Sequence, residues 1–297
     1  MIRLTWSARR GARTESPGQV VRHLAGIVKT REMENLRILT IVKQVPDSNA
    51  TLKVFPDGTG VDRAGLKLVV DPFDEFGVEL AIQLREKRKD VAEIVALTVG
   101  PDKAAEALRI ALAMGADAGV HLNDPSFESL NEVFMAVLIA EAVKKEPAFD
   151  LILCGKMNID LDAGAVGPAV AEFLGLPHVG AVQGLEIAND GKSFVARRRI
   201  EGAEEVVEGP LPVVLTIEKG LVEPRYPSLP NLMKAKKKPV KLLAAKDIQV
   251  HDGLKSEVRF VSLSPPPPRP PCKFVDGEPE QMAKELVRLL REEAKVL

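Results

Sequence analysis

The sequence predicts an α/β protein: a doubly wound, mostly parallel sheet followed by a C-terminal extended arm and helix. Short, continuously apolar runs such as LRILTIVKQV and FDLILCG alternate with stretches of helical period, the pattern of strands covered on both faces by crossover helices. The alternation starts at residue 36 and continues to about residue 220 without an internal repeat. A proline run, SPPPPRPP, then separates this body from a last amphipathic segment.

The elements follow in order. LRILTIVKQV reads as a buried strand, and FDEFGVELAIQLREKRK as a helix, with Phe73, Phe76, Leu80 and Leu84 at helical spacing and Asp74 and Glu75 in the first turn. AEIVALTVG is a second strand, DKAAEALRIALAMGA a helix, AGVHL a third strand and FESLNEVFMAVLIAEAVKKE a helix. FDLILCG is the fourth strand and AGAVGPAVAEFLG the next helix. HVGAVQGLEIA, SFVARRRIEG and LPVVLTIEKG read as further strands, with Asn189-Asp190-Gly191 as a hairpin turn. SPPPPRPP is an extended spacer, because proline fixes φ and donates no backbone hydrogen bond. EPEQMAKELVRLLREEAKVL beyond it is an amphipathic helix with Met282, Leu286, Leu289 and Leu290 on one face. A lone helix on a spacer is expected to dock on another subunit.

Composition narrows the function. The chain has 297 residues, 45% of them hydrophobic, and a net charge of −1, so no global charge points to nucleic acid or a membrane surface. No run of eighteen apolar residues occurs, so membrane insertion is not expected. Two cysteines, Cys154 and Cys272, suit a reducing compartment. Residues 1–32 carry seven Lys or Arg against Glu15 and Glu32, and read as a basic extension: an upstream mis-start ahead of Met33, a disordered segment, or a targeting signal.

In doubly wound sheets a ligand sits outside the carboxyl ends of the strands, where strand order reverses. If the fourth strand lies beside the first, the ends VKQVPDS and CGKMNID become neighbours, and the loops DPFDE and TVGP share their rim. Gly155 permits close backbone approach, and Ala163, Gly164, Ala165 and Gly167 open a helix whose N–H groups suit a phosphate. On spacing alone, such a small-residue helix start is more often tight helix–sheet packing than a phosphate site. Neither GxxxxGK[ST] nor a GxGxxG after the first strand is present, and Gly191-Lys192-Ser193 falls in the hairpin. Asp160 and Asp162 read as an acid/base pair or as loop and cap residues. The four histidines lack ligand spacing, so no metal site and no catalytic residue is expected.

From Leu36 to about Val240 the chain resembles the β subunit of electron transfer flavoproteins. VKQVPD, DPFDEFGVELA, LRIALAMGAD, DLILCGKMNIDLDAG and EPRYPSLPNLMKAKKKP carry the resemblance. It implies an adenine nucleotide α-hydrolase-like sheet and a heterodimer with an α subunit that holds most of the FAD. This subunit would hold a structural AMP. The dimer would be an electron carrier rather than a catalyst of its own reaction. It would take electrons from acyl-CoA dehydrogenases of fatty acid β-oxidation and other flavin dehydrogenases, and pass them to a membrane quinone oxidoreductase. The implied AMP contacts are Ile41, Asp71, Pro72, Phe73, Asp74 and Val99, together with Gly155, Lys156, Met157, Asn158, Ile159, Asp160, Leu161, Asp162, Ala163, Gly164, Ala165 and Val166. Phe73 resembles the aromatic that approaches the flavin, and Ser48 stands where many relatives place a tyrosine near it. Partner recognition falls on Arg225, Tyr226, Leu229, Met233, Lys234 and Lys237, in a stiff, non-helical loop with Leu229 as anchor.

Some residues depart from the pattern. Arg199, in the run Arg197-Arg198-Arg199, stands where relatives often carry an acid near the flavin; the plainer reading of the run is a solvated strand edge. VKQVPDS and Val166-Gly167-Pro168 resemble the electron-bifurcating branch, in which a second FAD replaces AMP. The EPRYPSLPNLMKAKKKP segment and Ala163 resemble the ordinary branch, so AMP is the expectation. A stand-alone nucleotide-binding regulator of the universal-stress type would explain the site but not that segment. A hydrolase or ligase of the α-hydrolase superfamily would need an SGGxDS loop, which is missing. The expected organisation is a nucleotide-binding domain at 33–220, a recognition loop at 221–240 and an arm and helix at 241–297 that docks on the α subunit. The setting is bacterial cytoplasm, or the mitochondrial matrix if residues 1–32 are a transit peptide.

Overall fold

A computed structural model describes residues 35–127, 131–248, 261–269 and 271–297, and the backbone of 19–23. Apart from that short stretch, the basic extension lies outside the described residues. The strands are β1 (Gln19–His23), β2 (Leu36–Ile41), β3 (Gln44–Pro46), β4 (Lys53–Val54), β5 (Val61–Asp62), β6 (Leu68–Val70), β7 (Val91–Val99), β8 (Ala118–Leu122), β9 (Leu151–Gly155), β10 (His178–Ile187), β11 (Ser193–Ile200), β12 (Ala203–Pro210), β13 (Val213–Ile217) and β14 (Val240–Leu243). The α-helices are α1 (Pro72–Lys87), α2 (Ala105–Met114), α3 (Glu132–Lys144), α4 (Val166–Leu174), α5 (Leu229–Ala235) and α6 (Pro279–Glu292).

Ten strands form one sheet in the order β1-β12-β11-β10-β13-β9-β2-β7-β8-β14. The β10–β11 and β11–β12 pairs are antiparallel and the others parallel, so the sheet is mostly parallel as expected. The apolar runs are continuous because successive residues face opposite layers. Ile38, Ile94, Leu151 and Leu153 join one buried cluster with residues of α1 and α2. Leu39, Val95, Ile152 and Cys154 join the other, with residues of α3 and α4. The fourth strand of the alternation, β9, does pair with the first, β2. The order therefore reverses between them, which opens the rim where a ligand is expected.

Several local expectations need correction. LRILTIVKQV is not one strand: β2 ends at Ile41, and β3 pairs antiparallel with β6 in a separate two-stranded sheet. The chain turns away at Lys43, whose N–H donates to Asp74 Oδ2 at 2.7 Å. The α3 helix starts at Glu132 rather than at Phe127, since Asn131 caps it by accepting from Phe134 N. The AEEVVEGP stretch forms β12, paired along the length of β11. That places Arg197-Arg198-Arg199 on an interior strand rather than an edge. RYPSLPNLMK is not wholly non-helical, because α5 occupies Leu229–Ala235. Pro230 lies in the first turn, where no N–H is needed, and Ser228 caps it.

The chain divides into two compact units. One holds the described residues of 1–52 and 63–259; the other holds 53–62 and the described residues of 260–297, including the β4–β5 hairpin and α6. Among the described residues no helix is long and apolar enough to cross a membrane.

Candidate functional site

Two carboxylates bind the loops of the rim to one another. Asp71 is fully buried and caps α1, its Oδ1 accepting from Phe73 N at 2.9 Å and its Oδ2 from Ile159 N at 2.8 Å. Asp74, one turn into α1, accepts from Lys43 N through Oδ2 at 2.7 Å and from Gly155 N through Oδ1 at 2.8 Å. The start of α1, the end of β2 and the loop after β9 are thus one hydrogen-bonded assembly. Burial, and then the neighbouring Asp71 carboxylate, push Asp74 up to about 8, against the two N–H bonds it accepts. Burial raises Asp71 as well.

Glycine is obligatory at three nearby points, for different reasons. A Cβ on Gly155 would stand 2.6 Å from Phe73 Cβ and 2.8 Å from Asp74 Oδ1, so the strand end and the α1 start touch backbone to backbone. A Cβ on Gly164 would stand 2.8 Å from Lys156 O, inside the loop itself. On Gly167 it would be 2.3 Å from Thr216 Cγ2, so this glycine serves packing of α4 on β13. The packing reading of the small-residue run therefore holds at Gly167, while Gly155 and Gly164 serve close approaches at and within the loop.

The loop between β9 and α4 closes on itself. Asn158 N donates to Ala163 O at 2.9 Å, Asn158 Oδ1 accepts from Leu161 N at 3.1 Å, and Asn158 Nδ2 donates to Glu132 Oε1 at 2.6 Å. Asp162 takes φ 54°, the left-handed conformation that asparagine and aspartate tolerate best among side-chain-bearing residues. The two lysines of the rim are engaged: Lys43 Nζ with Asp160 Oδ1 at 2.7 Å and Lys156 Nζ with Glu218 Oε2 at 2.6 Å. Asp160 and Asp162 thus sit in an ion pair and a turn, not as a paired acid and base. The α4 helix has Ala165 at its cap position, with no side-chain cap bond and no acid in its first turn. Its leading N–H groups lack intrahelical acceptors, and the helix dipole favours an anion there.

The other expected residues distribute as follows. Ile41 is buried at the end of β2, while Val99, Met157 and Val166 are half-buried around the rim, and Leu161 is exposed on the loop. Pro72 is exposed at the start of α1. Phe73 is half-buried, edge-on to Phe76 with ring centroids 6.5 Å apart. Ser48 is exposed in a turn after β3. Cys154 is fully enclosed and its thiol is pushed up by burial, so it is a packing residue. Among the described residues no cluster of three metal-ligating side chains occurs. Sequence reasoning missed Lys43, Glu132 and Glu218, whose partners are distant in the chain.

A second group lies on and before α5. Tyr226, Leu229 and Met233 are 98%, 77% and 58% exposed, and Lys234 and Lys237 are exposed beside them. Arg225, expected with them, has its guanidinium on Glu79 and Glu86 of α1.

A doubly wound sheet with a backbone-lined rim at its switch point is an architecture used by nucleotide-binding α/β proteins. The profile of the electron transfer flavoprotein domain matches residues 59–248. The chain is 36% identical over 269 residues to the electron transfer flavoprotein subunit beta of Bacillus subtilis (strain 168), covering 88% of this chain and all of that protein. It is 39% identical to the subunits of the same name from Sus scrofa and from Syntrophomonas wolfei, in each case over 88% of this chain and 98% of the relative. The chain belongs to the electron transfer flavoprotein β-subunit family.

Proposed function

We propose that this chain is the β half of a heterodimeric electron transfer flavoprotein. Its α subunit holds most of the FAD, and this subunit holds an AMP against the 155–166 loop. The observation that carries the nucleotide is the loop's construction: closely packed backbone at Gly155 and Gly164, leading into the uncapped N-terminus of α4. Rim lysines already paired with acids leave main-chain N–H groups as the donors for a phosphate. The residues fit the group, with the N–H groups at the start of α4 holding phosphate and Ile41, Val99 and Val166 supplying apolar surface. The flavin, when bound, supplies the redox chemistry; this chain orients and shields, with Phe73 on the flavin side.

In this reading Tyr226, Leu229 and Met233 meet a flavin dehydrogenase of the acyl-CoA dehydrogenase type, and Lys234 and Lys237 steer the encounter. A quinone oxidoreductase accepts the electrons, α6 docks on the α subunit, and the setting is bacterial cytoplasm. The test is co-expression with the cognate α subunit, denaturation of the purified heterodimer and chromatography of the released nucleotides. One FAD and one AMP per heterodimer are expected. Two FAD and no AMP would show the bifurcating form, and absence of adenylate in any form would refute the site.

A further inference from the structure

We infer that residues 226–237 form a preset docking strap fastened to the core at both ends by a cation, with Arg225 and Lys238 as positioning residues rather than partner contacts. The inference rests on the reading that this segment meets the electron-donating dehydrogenase. At the N-terminal end, Arg225 Nε and Nη2 donate to Oε2 and Oε1 of Glu79 at 2.8 and 2.9 Å. Its Nη1 and Nη2 donate to Oε1 and Oε2 of Glu86 at 2.7 and 3.1 Å, and its backbone N–H adds a bond to Glu79 at 3.2 Å. Glu79 and Glu86 lie two turns apart on α1, so one planar guanidinium spans both carboxylates, a geometry lysine's single ammonium does not reproduce.

At the C-terminal end, Lys238 Nζ donates to Leu112 O at 2.9 Å and to Ala116 O at 2.5 Å. These carbonyls close the C-terminal end of α2, where the helix dipole favours a cation. The lysines of the segment therefore divide. Lys234, Lys236 and Lys237 are exposed, while Lys238 is turned inward and its pKa is lowered by burial.

Between the two fastenings the strap shows a core-facing and a solvent-facing side. Leu232 packs on the core and Ala235 is buried, whereas Leu229 and Met233 stand outward, four residues apart on α5. Leu232 and Ala235 give the strap a small apolar footing, so the polar fastenings matter. Glu79 is 2% exposed with Arg225 over it, and its Oε1 also accepts from Gln83 Nε2 at 2.9 Å. Releasing Arg225 would exchange a guanidinium bonded to two carboxylates for water, so this charge-assisted clamp favours the closed strap in the free protein. A segment already in its bound shape loses less conformational freedom on docking.

The test uses the intact heterodimer and an acyl-CoA dehydrogenase as electron donor. Arg225→Gln is expected to raise the KM for the flavoprotein by about tenfold, the loss expected when several side chains must be re-ordered on docking. The kcat at saturation and the bound FAD and AMP should stay unchanged, tryptic cleavage at Lys234–Lys237 should accelerate, and Arg225→Lys should recover part of the loss. Leu229→Ala is the reference: it should raise KM without changing the cleavage rate. If Arg225→Gln raises KM with cleavage unchanged, Arg225 is a partner contact and the inference is wrong. If neither changes, Arg225 positions nothing. If Leu229→Ala leaves KM unchanged, the docking reading fails, while the cleavage result still decides whether the strap is fastened. Should Arg225→Gln fail to fold, Glu86→Gln removes only the exposed half of the clamp and must raise both KM and cleavage; no change in either overturns the inference.

Discussion

A carboxyl group that is buried beside a second acid, yet accepts two backbone N–H bonds, makes Asp74 a pH-sensitive joint of the site. Its folded pKa, pushed up to about 8, lies above the ordinary carboxylate value, so the folded state holds a proton that the unfolded state releases. Stability must then fall as pH rises from the ordinary carboxylate range through about 8, and level off above it, by on the order of a few kcal/mol. Asp71, raised by burial, adds a slope of the same sign. Urea unfolding of the wild type at several pH values should show this decline, and Asp74→Asn should flatten it; an equally steep decline in the variant would move the effect elsewhere. The Asp71 cap was not read from D-P-F-D-E, although an acid followed by proline at a helix start is a local signal that could have given it. The ties of Asp74 carry no such signal, because Lys43 and Gly155 lie 31 and 81 residues away in the chain.

Among elements, the parallel strands were legible because burial on both faces leaves an unbroken apolar run, and Ile38, Leu39, Ile152 and Leu153 bear this out. The β12 strand was not, because Glu205 interrupts it; that residue is 1% exposed and accepts from Arg198 Nε at 2.5 Å, a pairing no local pattern reveals. The short α5 was hidden by Pro227 before it and Pro230 within it, since proline breaks a helix in the interior but not in the first turn. The α6 helix was legible and remains open on one side: Met282, Leu286 and Val287 are 38%, 49% and 43% exposed. Its other faces carry Glu280–Lys284 and an Arg288 pair with Glu285 and Glu292, short-range ion pairs that suit solvent. Covering the open side should contribute roughly 1 kcal/mol for each half-exposed side chain. Truncation after Ser264 is therefore expected to raise the heterodimer dissociation constant at least about tenfold, without changing the thermal transition of the 63–248 body. An unchanged constant, measured by analytical ultracentrifugation, would exclude α6 as an anchor.

At the scale of the whole molecule, the rim is where the two buried layers meet. The α1 helix belongs to one cluster and α3 and α4 to the other, and all three begin at the same edge of the sheet. Asp71 and Asp74 join the α1 start to the 155–159 backbone, and Asn158 joins that loop to Glu132 at the start of α3. A phosphate held by α4 and this loop would therefore oppose separation of both layers, so its binding energy should appear in global unfolding rather than in loop order alone. Ligand at about a hundredfold over its dissociation constant stabilises by roughly 2.7 kcal/mol, which for a domain of this size raises Tm by roughly 5–10 °C. Adding AMP to heterodimer that has lost its adenylate but keeps the FAD of the α subunit should produce that shift. Gly164→Val should abolish it, because the new side chain meets Lys156 O at the turn of the loop, while FAD on the α subunit stays bound. A shift produced by FAD but not by AMP would assign the site to a second flavin. If Gly164→Val keeps the full AMP response, the phosphate is held elsewhere than the 155–166 loop.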